Sequence, residues 1–141
     1  MKAIHDHSTP VPIREYYTSK LIGVSANSTI REAAQRMTEF GVSSLVVEQD
    51  GKVVGFFTDS DLKSRVVAAG LETEKPVSDI MTRNLVTAPA DTEVSQALAT
   101  MARHRIKHLL VTESDQIVGV VTLRDLVDPE RQKLETQIAR E

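Results

Sequence analysis

The sequence predicts an α/β (α+β) protein made of two copies of one β-α-β-β-α unit, packed about a pseudo-twofold axis. Three observations carry that prediction. First, a shift of 64 (119 − 55) lays Gly119-Val120-Val121-Thr122-Leu123-Arg124-Asp125-Leu126 over Gly55-Phe56-Phe57-Thr58-Asp59-Ser60-Asp61-Leu62. Second, the same shift, without a gap, pairs Pro12 with Pro76, Leu21 with Leu85, Ala33 with Ala97, Met37 with Met101 and Leu45 with Leu109. Third, each copy runs in one order: an amphipathic helix, two apolar runs around a turn, and a Thr-x-x-Asp helix start.

The repeat sets the boundaries. Residues 1–10 read as a polar tail, 11–70 as the first repeat, 71–76 as a linker, 77–128 as the second repeat and 129–141 as a C-terminal helix or tail. Neither copy has enough apolar face to close a core alone, since about 60 residues is a marginal domain size.

Pro12 and Pro76 each open a short helical turn, with Val77, Ile80 and Met81 on one face of the second. Brief extended segments follow at residues 21–24 and 85–87. In the first long helix Ile30, Ala33, Ala34, Met37 and Phe40 form one apolar stripe. Thr29 and Glu32 have capping-box spacing, and Gly41 is the expected stop. In its counterpart Val94, Ala97, Leu98 and Met101 form the stripe, with Asp91 or Thr92 as the expected cap. The small Ala residues suit close packing against a partner, so these helices are expected to face outward and offer their Ala and Met faces to a second chain.

Each helix leads into a hairpin. Residues 44–47 and 53–57 flank Gln49-Asp50-Gly51-Lys52, and residues 109–111 and 117–121 flank Glu113-Ser114-Asp115-Gln116, which has weaker turn chemistry. A helix over residues 62–69, stopped by Gly70, closes copy one. Asp128-Pro129 is expected to cap a last helix over residues 130–140, exposed because only Leu134 and Ile138 pair on it.

Composition narrows the classes of function. A net charge of −3 exerts no global pull on nucleic acid or anionic membrane. No apolar run approaches the roughly 20 residues that span a bilayer. With no cysteine there is no disulfide, thiolate nucleophile or thiolate metal site, and a cytoplasmic protein is the expectation. No catalytic constellation stands out, so no enzyme is predicted. His104 and His108 have metal-ligand spacing only if one helix holds both. The counterpart of Arg105 is Gly41, which places a helix end between them, and His5-x-His7 lies in the tail.

The doubled Gly-hydrophobic-hydrophobic-Thr-x-x-Asp ending resembles the cystathionine-β-synthase-type (CBS) domain, which occurs in tandem pairs. The resemblance covers residues 11–128 and includes Val77-Ser78-Asp79-Ile80-Met81-Thr82 and Ile106-Lys107-His108-Leu109-Leu110-Val111. It is closest in kind to stand-alone bacterial and archaeal pairs. It implies a regulatory module with no obligatory cofactor, binding AMP, ADP or ATP, and in some members NAD or S-adenosylmethionine, in clefts between the repeats. It also implies a homodimer, here through helical faces, and a regulated protein that the sequence does not identify.

The resemblance implies site residues as well. One cleft would use Asp125 for the ribose hydroxyls, Thr122, Arg124, Lys107 and His108 near phosphate, Val120, and Val24, Thr29, Val42 and Ser43 on the adenine side. The symmetry-related cleft would use Asp61, Thr58, Ser60, Phe56, Ser43 and Ser44, with Ala88, Ile106 and Lys107. Elementary chemistry agrees. A carboxylate only accepts, which suits a diol that donates twice. Arg124 offers a planar fork to phosphate where Ser60 offers one hydroxyl. The Asp125 cleft should therefore favour anionic ligands and the Asp61 cleft should be weaker.

Plainer readings stand beside these. Thr122 with Asp125, and Thr58 with Asp61, are good helix caps in their own right. The chain could then be a ligand-free dimerisation or scaffolding module. The basic run Arg103-His104-Arg105-Ile106-Lys107-His108 suits the C-terminal end of a helix. As a nucleic-acid patch it is disfavoured by 4% aromatic content and net acidity.

Overall fold

The computed structural model describes residues 10–17 and 21–128. Residues 1–9 of the expected tail, with His5-x-His7, and the helix over residues 130–140 therefore lie outside the described residues. The described residues form two compact units, one of Leu21–Leu85 and the other joining residues 10–17 to residues 86–128.

The first unit holds a three-stranded sheet of order β1-β2-β3: β1 (Gly23–Ser25), β2 (Ser44–Gln49) and β3 (Lys52–Thr58). β1 runs parallel to β2, and β2 is antiparallel to β3, with a register shift after Val47. Helix α1 (Ile30–Phe40) starts on the predicted capping box: Thr29 Oγ1 accepts from Glu32 N at 3.0 Å, and Glu32 Oε1 accepts from Thr29 N at 2.8 Å. Ile30, Ala33 and Met37 enter the core with Leu45, Val47 and Phe57.

The second unit repeats this arrangement with β4 (Thr87–Pro89), α3 (Val94–His104), β5 (His108–Glu113) and β6 (Gln116–Thr122), sheet order β4-β5-β6. Its core joins Ala97 and Met101 to Leu109, Val111 and Val121. The fold class is the one the sequence predicts.

Each unit is completed by the lead-in turn of the other sequence copy. The 3-10 turn Ile13–Glu15 docks on the second unit, where Ile13 N donates to Thr92 O at 2.8 Å and Arg14 N to Ala90 O at 2.9 Å. The 3-10 turn Val77–Asp79 does the same for the first unit, with Val77 N donating to Ser28 O at 2.7 Å and Ser78 N to Ala26 O at 3.3 Å. Ile13 and Val77 are both 0% exposed. Val77, Ile80 and Met81 share the predicted inward face. Phe56 and Thr82 exchange backbone hydrogen bonds at 2.9 and 2.8 Å, so the lead-in runs along β3. A Cβ at Gly55 would overlap Met81 Sδ, so that approach requires glycine.

Several expectations are corrected. Neither Asp91 nor Thr92 caps α3. Its N-cap position is Glu93, one residue past Thr92, and Glu93 makes no side-chain cap bond; Val94 N donates to Val11 O of the lead-in at 2.9 Å, as Ile30 N does to Lys75 O in copy one. The first and fourth predicted strands begin two residues later than expected, at Gly23 and Thr87. The helix closing copy one starts earlier, as α2 (Asp59–Asp61), and continues as a π-helix over Leu62–Val67, with Ala68 N donating to Lys63 O at 2.9 Å. Copy two closes with α4 (Leu123–Val127).

The Ala and Met faces of α1 and α3 are not offered to a second chain. Ala33, Met37, Ala97 and Met101 are buried in their own units, because the stripe that periodicity finds is the one the local sheet covers. Among the described residues the large apolar side chains left well exposed on helices are Val67, at 71%, and Val127, at 62%.

Candidate functional site: the two Thr-x-x-Asp motifs

Both motifs stand where a strand passes into a helix. In the second unit β6 ends at Thr122 and α4 begins at Leu123. Thr122 Oγ1 accepts from Asp125 N at 3.1 Å, and Asp125 Oδ2 accepts from Thr122 N at 3.0 Å. The pair is thus a capping box, as its residue types permit. Only one carboxylate oxygen is used. Asp125 Oδ1 has no hydrogen bond or ion pair among the described residues.

The strand pairing brings the predicted basic residues of copy two to this motif. His108 lies opposite Thr122 in the β5–β6 register, and Leu123 N donates to Lys107 O at 2.9 Å. Lys107 and Arg124 are exposed, His108 and Asp125 are half-buried, and Val120 is buried under the strand. The arrangement brings a half-buried carboxylate to the same strand end as two exposed cationic residues, Lys107 and Arg124. That set can accept from hydroxyls and balance an anion.

The first unit has the same frame and different surroundings. Asp61 Oδ2 accepts from both Thr58 N, at 2.9 Å, and Thr58 Oγ1, at 3.1 Å. Ser44 lies opposite Thr58, and Asp59 N donates to Ser43 O at 3.0 Å. Ser60 is exposed, while Ser44 and Phe56 are buried. Arg65 also stands here, Nε 3.6 Å from Asp61 Oδ1. The Thr-x-x-Asp pattern does not single it out; the i,i+4 spacing from Asp61 is the signal that finds it.

The remaining predicted residues are placed within their own units. Val24 is buried on β1, Thr29 is engaged in the α1 capping box, and Val42 and Ser43 are half-buried before β2. Ala88 is buried on β4, and Ile106 packs half-buried against the second core. A groove of about 440 Å³ bordered by Gly23, Ser25, Arg36, Glu48 and Asp50 opens at the hairpin end of β2, away from Thr58 and Asp61.

The basic run is divided as Gly41 predicts. Helix α3 ends at His104, Arg105 takes a left-handed conformation with φ 55°, and His108 begins β5. Among the described residues no three His, Asp or Glu side chains gather as a metal site, and no helix is long and apolar enough to cross a membrane.

Comparison with known proteins agrees with this architecture. A conserved protein from Pyrococcus horikoshii is 50% identical, with a TM-score of 0.82 over 86% of this chain and 93% of its own. The CBS domain-containing protein YhcV of Bacillus subtilis is 33% identical over 114 residues, 81% of each chain. The CBS domain pair of protein MJ0100, solved with 5′-methylthioadenosine and S-adenosyl-L-methionine, is 26% identical, with a TM-score of 0.76 over 89% of this chain. The CBS domain family matches twice, over residues 13–68 and 77–129, and with both repeats so covered the chain belongs to the CBS domain family as a tandem pair.

Proposed function

We propose that this CBS pair is a regulatory sensor that takes an adenosine ligand at the Thr122–Asp125 motif of its second repeat. The observation that carries the reading is the second Asp125 oxygen, without a partner among the described residues, on a motif whose backbone neighbours are Lys107, His108 and Arg124. A ribose diol supplies two donors to such an acceptor, and the cations suit the phosphates of AMP, ADP or ATP. NAD and S-adenosylmethionine share the diol and belong to the same class. The solved MJ0100 pair, with its two adenosine-bearing ligands, supports that class.

Signalling then requires that the ligand prefer one of two states, since tight binding alone shifts nothing. We assign the readout to a homodimer and to a regulated protein, with Val67 and Val127 as apolar helix positions for a second copy to cover. The protein acts as a binding module with no catalytic step of its own.

Calorimetry with AMP, ADP, ATP, NAD and S-adenosylmethionine tests this on the native chain, Asp125→Ala and Asp125→Asn. Losing one charged hydrogen bond, about 1.5–3 kcal/mol, should weaken binding about tenfold or more. Asn keeps an acceptor for the Thr122 cap, so its melting temperature separates lost binding from lost folding. Unchanged affinity in both variants would remove Asp125 from the site. The capping boxes favour a second reading, in which Thr and Asp serve the helix alone and the pair is a ligand-free scaffold. That reading predicts no heat with any of the five ligands and undiminished dimerisation.

A further inference from the structure

The two motif carboxylates share a sequence pattern and differ in what faces their second oxygen. Asp61 Oδ1 faces Arg65 Nε at 3.6 Å, and the two side chains are 15% and 49% exposed. Arg65 is not a loose surface partner. Its Nη1 donates to Ile80 O at 2.8 Å, and Ile80 is held in the same core by the lead-in turn. The π-helical stretch buries Val66 while its neighbour Arg65 stands between Asp61 and Ile80. With Thr58 N and Oγ1 on Oδ2, both oxygens of Asp61 are engaged.

Among the described residues Asp125 has no such companion. Across the 64-residue shift the counterpart of Arg65 is Pro129, which has neither charge nor side-chain donor. A diol arriving at Asp125 meets an open acceptor. A diol arriving at Asp61 has to displace a guanidinium that is anchored at its other end, and a neutral hydroxyl pair does not replace the lost charge interaction.

We infer that Arg65 is a built-in counter-ion that holds the first repeat's motif closed to ribose, so that the pair binds adenosine ligands through Asp125 alone. This rests on the ribose reading of the motif given above. It makes Arg65 a specificity-determining residue and separates it from a phosphate-gripping role.

The test is calorimetry of the full chain with 5′-methylthioadenosine, which carries the diol and no phosphate. Asp125→Asn removes the second-repeat site and should leave no measurable binding. Adding Arg65→Met or Arg65→Gln should restore one site per chain, at least about tenfold tighter than in Asp125→Asn alone. A further Asp61→Asn should abolish it. Gln can keep the bond to Ile80 O, and melting curves of all variants confirm that they fold. One site per chain in Asp125→Asn with Arg65 intact would overturn the inference while leaving the adenosine reading standing. So would folded double variants that remain inert.

If the native chain binds nothing, the reading at Asp125 fails, and Arg65→Met alone decides. A gained site that depends on Asp61 upholds the closure, and no gain overturns it. AMP is the last arm: tighter AMP binding in Asp125→Asn than in Asp125→Asn with Arg65→Met would make Arg65 a phosphate contact and end the proposal.

Discussion

The two units reach one fold by different local devices, and the difference shows which interactions the fold requires. α1 begins on a side-chain capping box, whereas α3 begins with no side-chain cap at all. α1 ends on Gly41 at φ 64°, and α3 ends on Arg105 at φ 55°. The hairpin turns place Asp50 and Gly51 at positive φ in one unit and Ser114 and Asp115 in the other. What does not vary is the docking of a lead-in turn. Ile13 and Val77 occupy matching core positions and make matching backbone bonds, Ile13 N to Thr92 O and Val77 N to Ser28 O. The invariant element is therefore the reciprocal plug, and the caps and turns are interchangeable around it.

The strongest way to break this comparison is to remove the plugs. Ile13→Ala should cost about 2–5 kcal/mol, and Val77→Ala, which loses less volume, about 2 kcal/mol. Amide exchange should show where the loss falls. Ile13→Ala should deprotect β4, β5 and β6, although residue 13 precedes the first sequence repeat's sheet. Val77→Ala should deprotect β1, β2 and β3. Equal loosening of both sheets by either variant would sink the reciprocal assignment.

A smaller effect sharpens the contrast at the helix starts. Thr29→Ala deletes a cap whose hydroxyl accepts from Glu32 N, at a cost of about 1 kcal/mol by chemical denaturation. Asp91→Ala and Thr92→Ala should each change stability by less than about 0.5 kcal/mol, because neither side chain caps α3. A loss at Thr92 as large as that at Thr29 would mean that the Thr92 side chain supports the start of α3 after all.

These helix starts also show how much the sequence discloses. Ile30, Ala33 and Met37, like Ala97 and Met101, could be placed in a core because helical periodicity is a local property. The Thr29–Glu32 box was legible for the same reason. Which core Ile13 would join was not legible, since no periodicity links residue 13 to residue 92. The missing α3 cap was not legible either, because the helix starts one residue past Thr92, on Glu93, which makes no side-chain cap bond. Periodicity finds an apolar stripe without saying what covers it, and so the Ala and Met faces looked available to a second chain. At the motifs, Thr122 and Asp125 were legible as a pair. Cap and ligand roles use the same atoms, and only coordinates show that one Asp125 oxygen is left over while both Asp61 oxygens are engaged.

The smallest expected effect lies at the helix ends. A Cβ at Gly41 would meet nothing within 4 Å, so Gly41→Ala introduces no clash, and its cost is the left-handed backbone alone, about 1 kcal/mol. Arg105 bears that cost already. Arg105→Gly should relieve it, yet glycine also loosens the unfolded chain, and the exposed cation at the end of α3 contributes a few tenths of a kcal/mol through the helix dipole. The net gain should therefore be under about 1 kcal/mol, smaller than the Gly41 loss and opposite in sign. Paired denaturation curves measure both. A stability loss in Arg105→Gly would show that the Arg105 side chain holds a contact stronger than its backbone strain, and the two helix ends would no longer be equivalent.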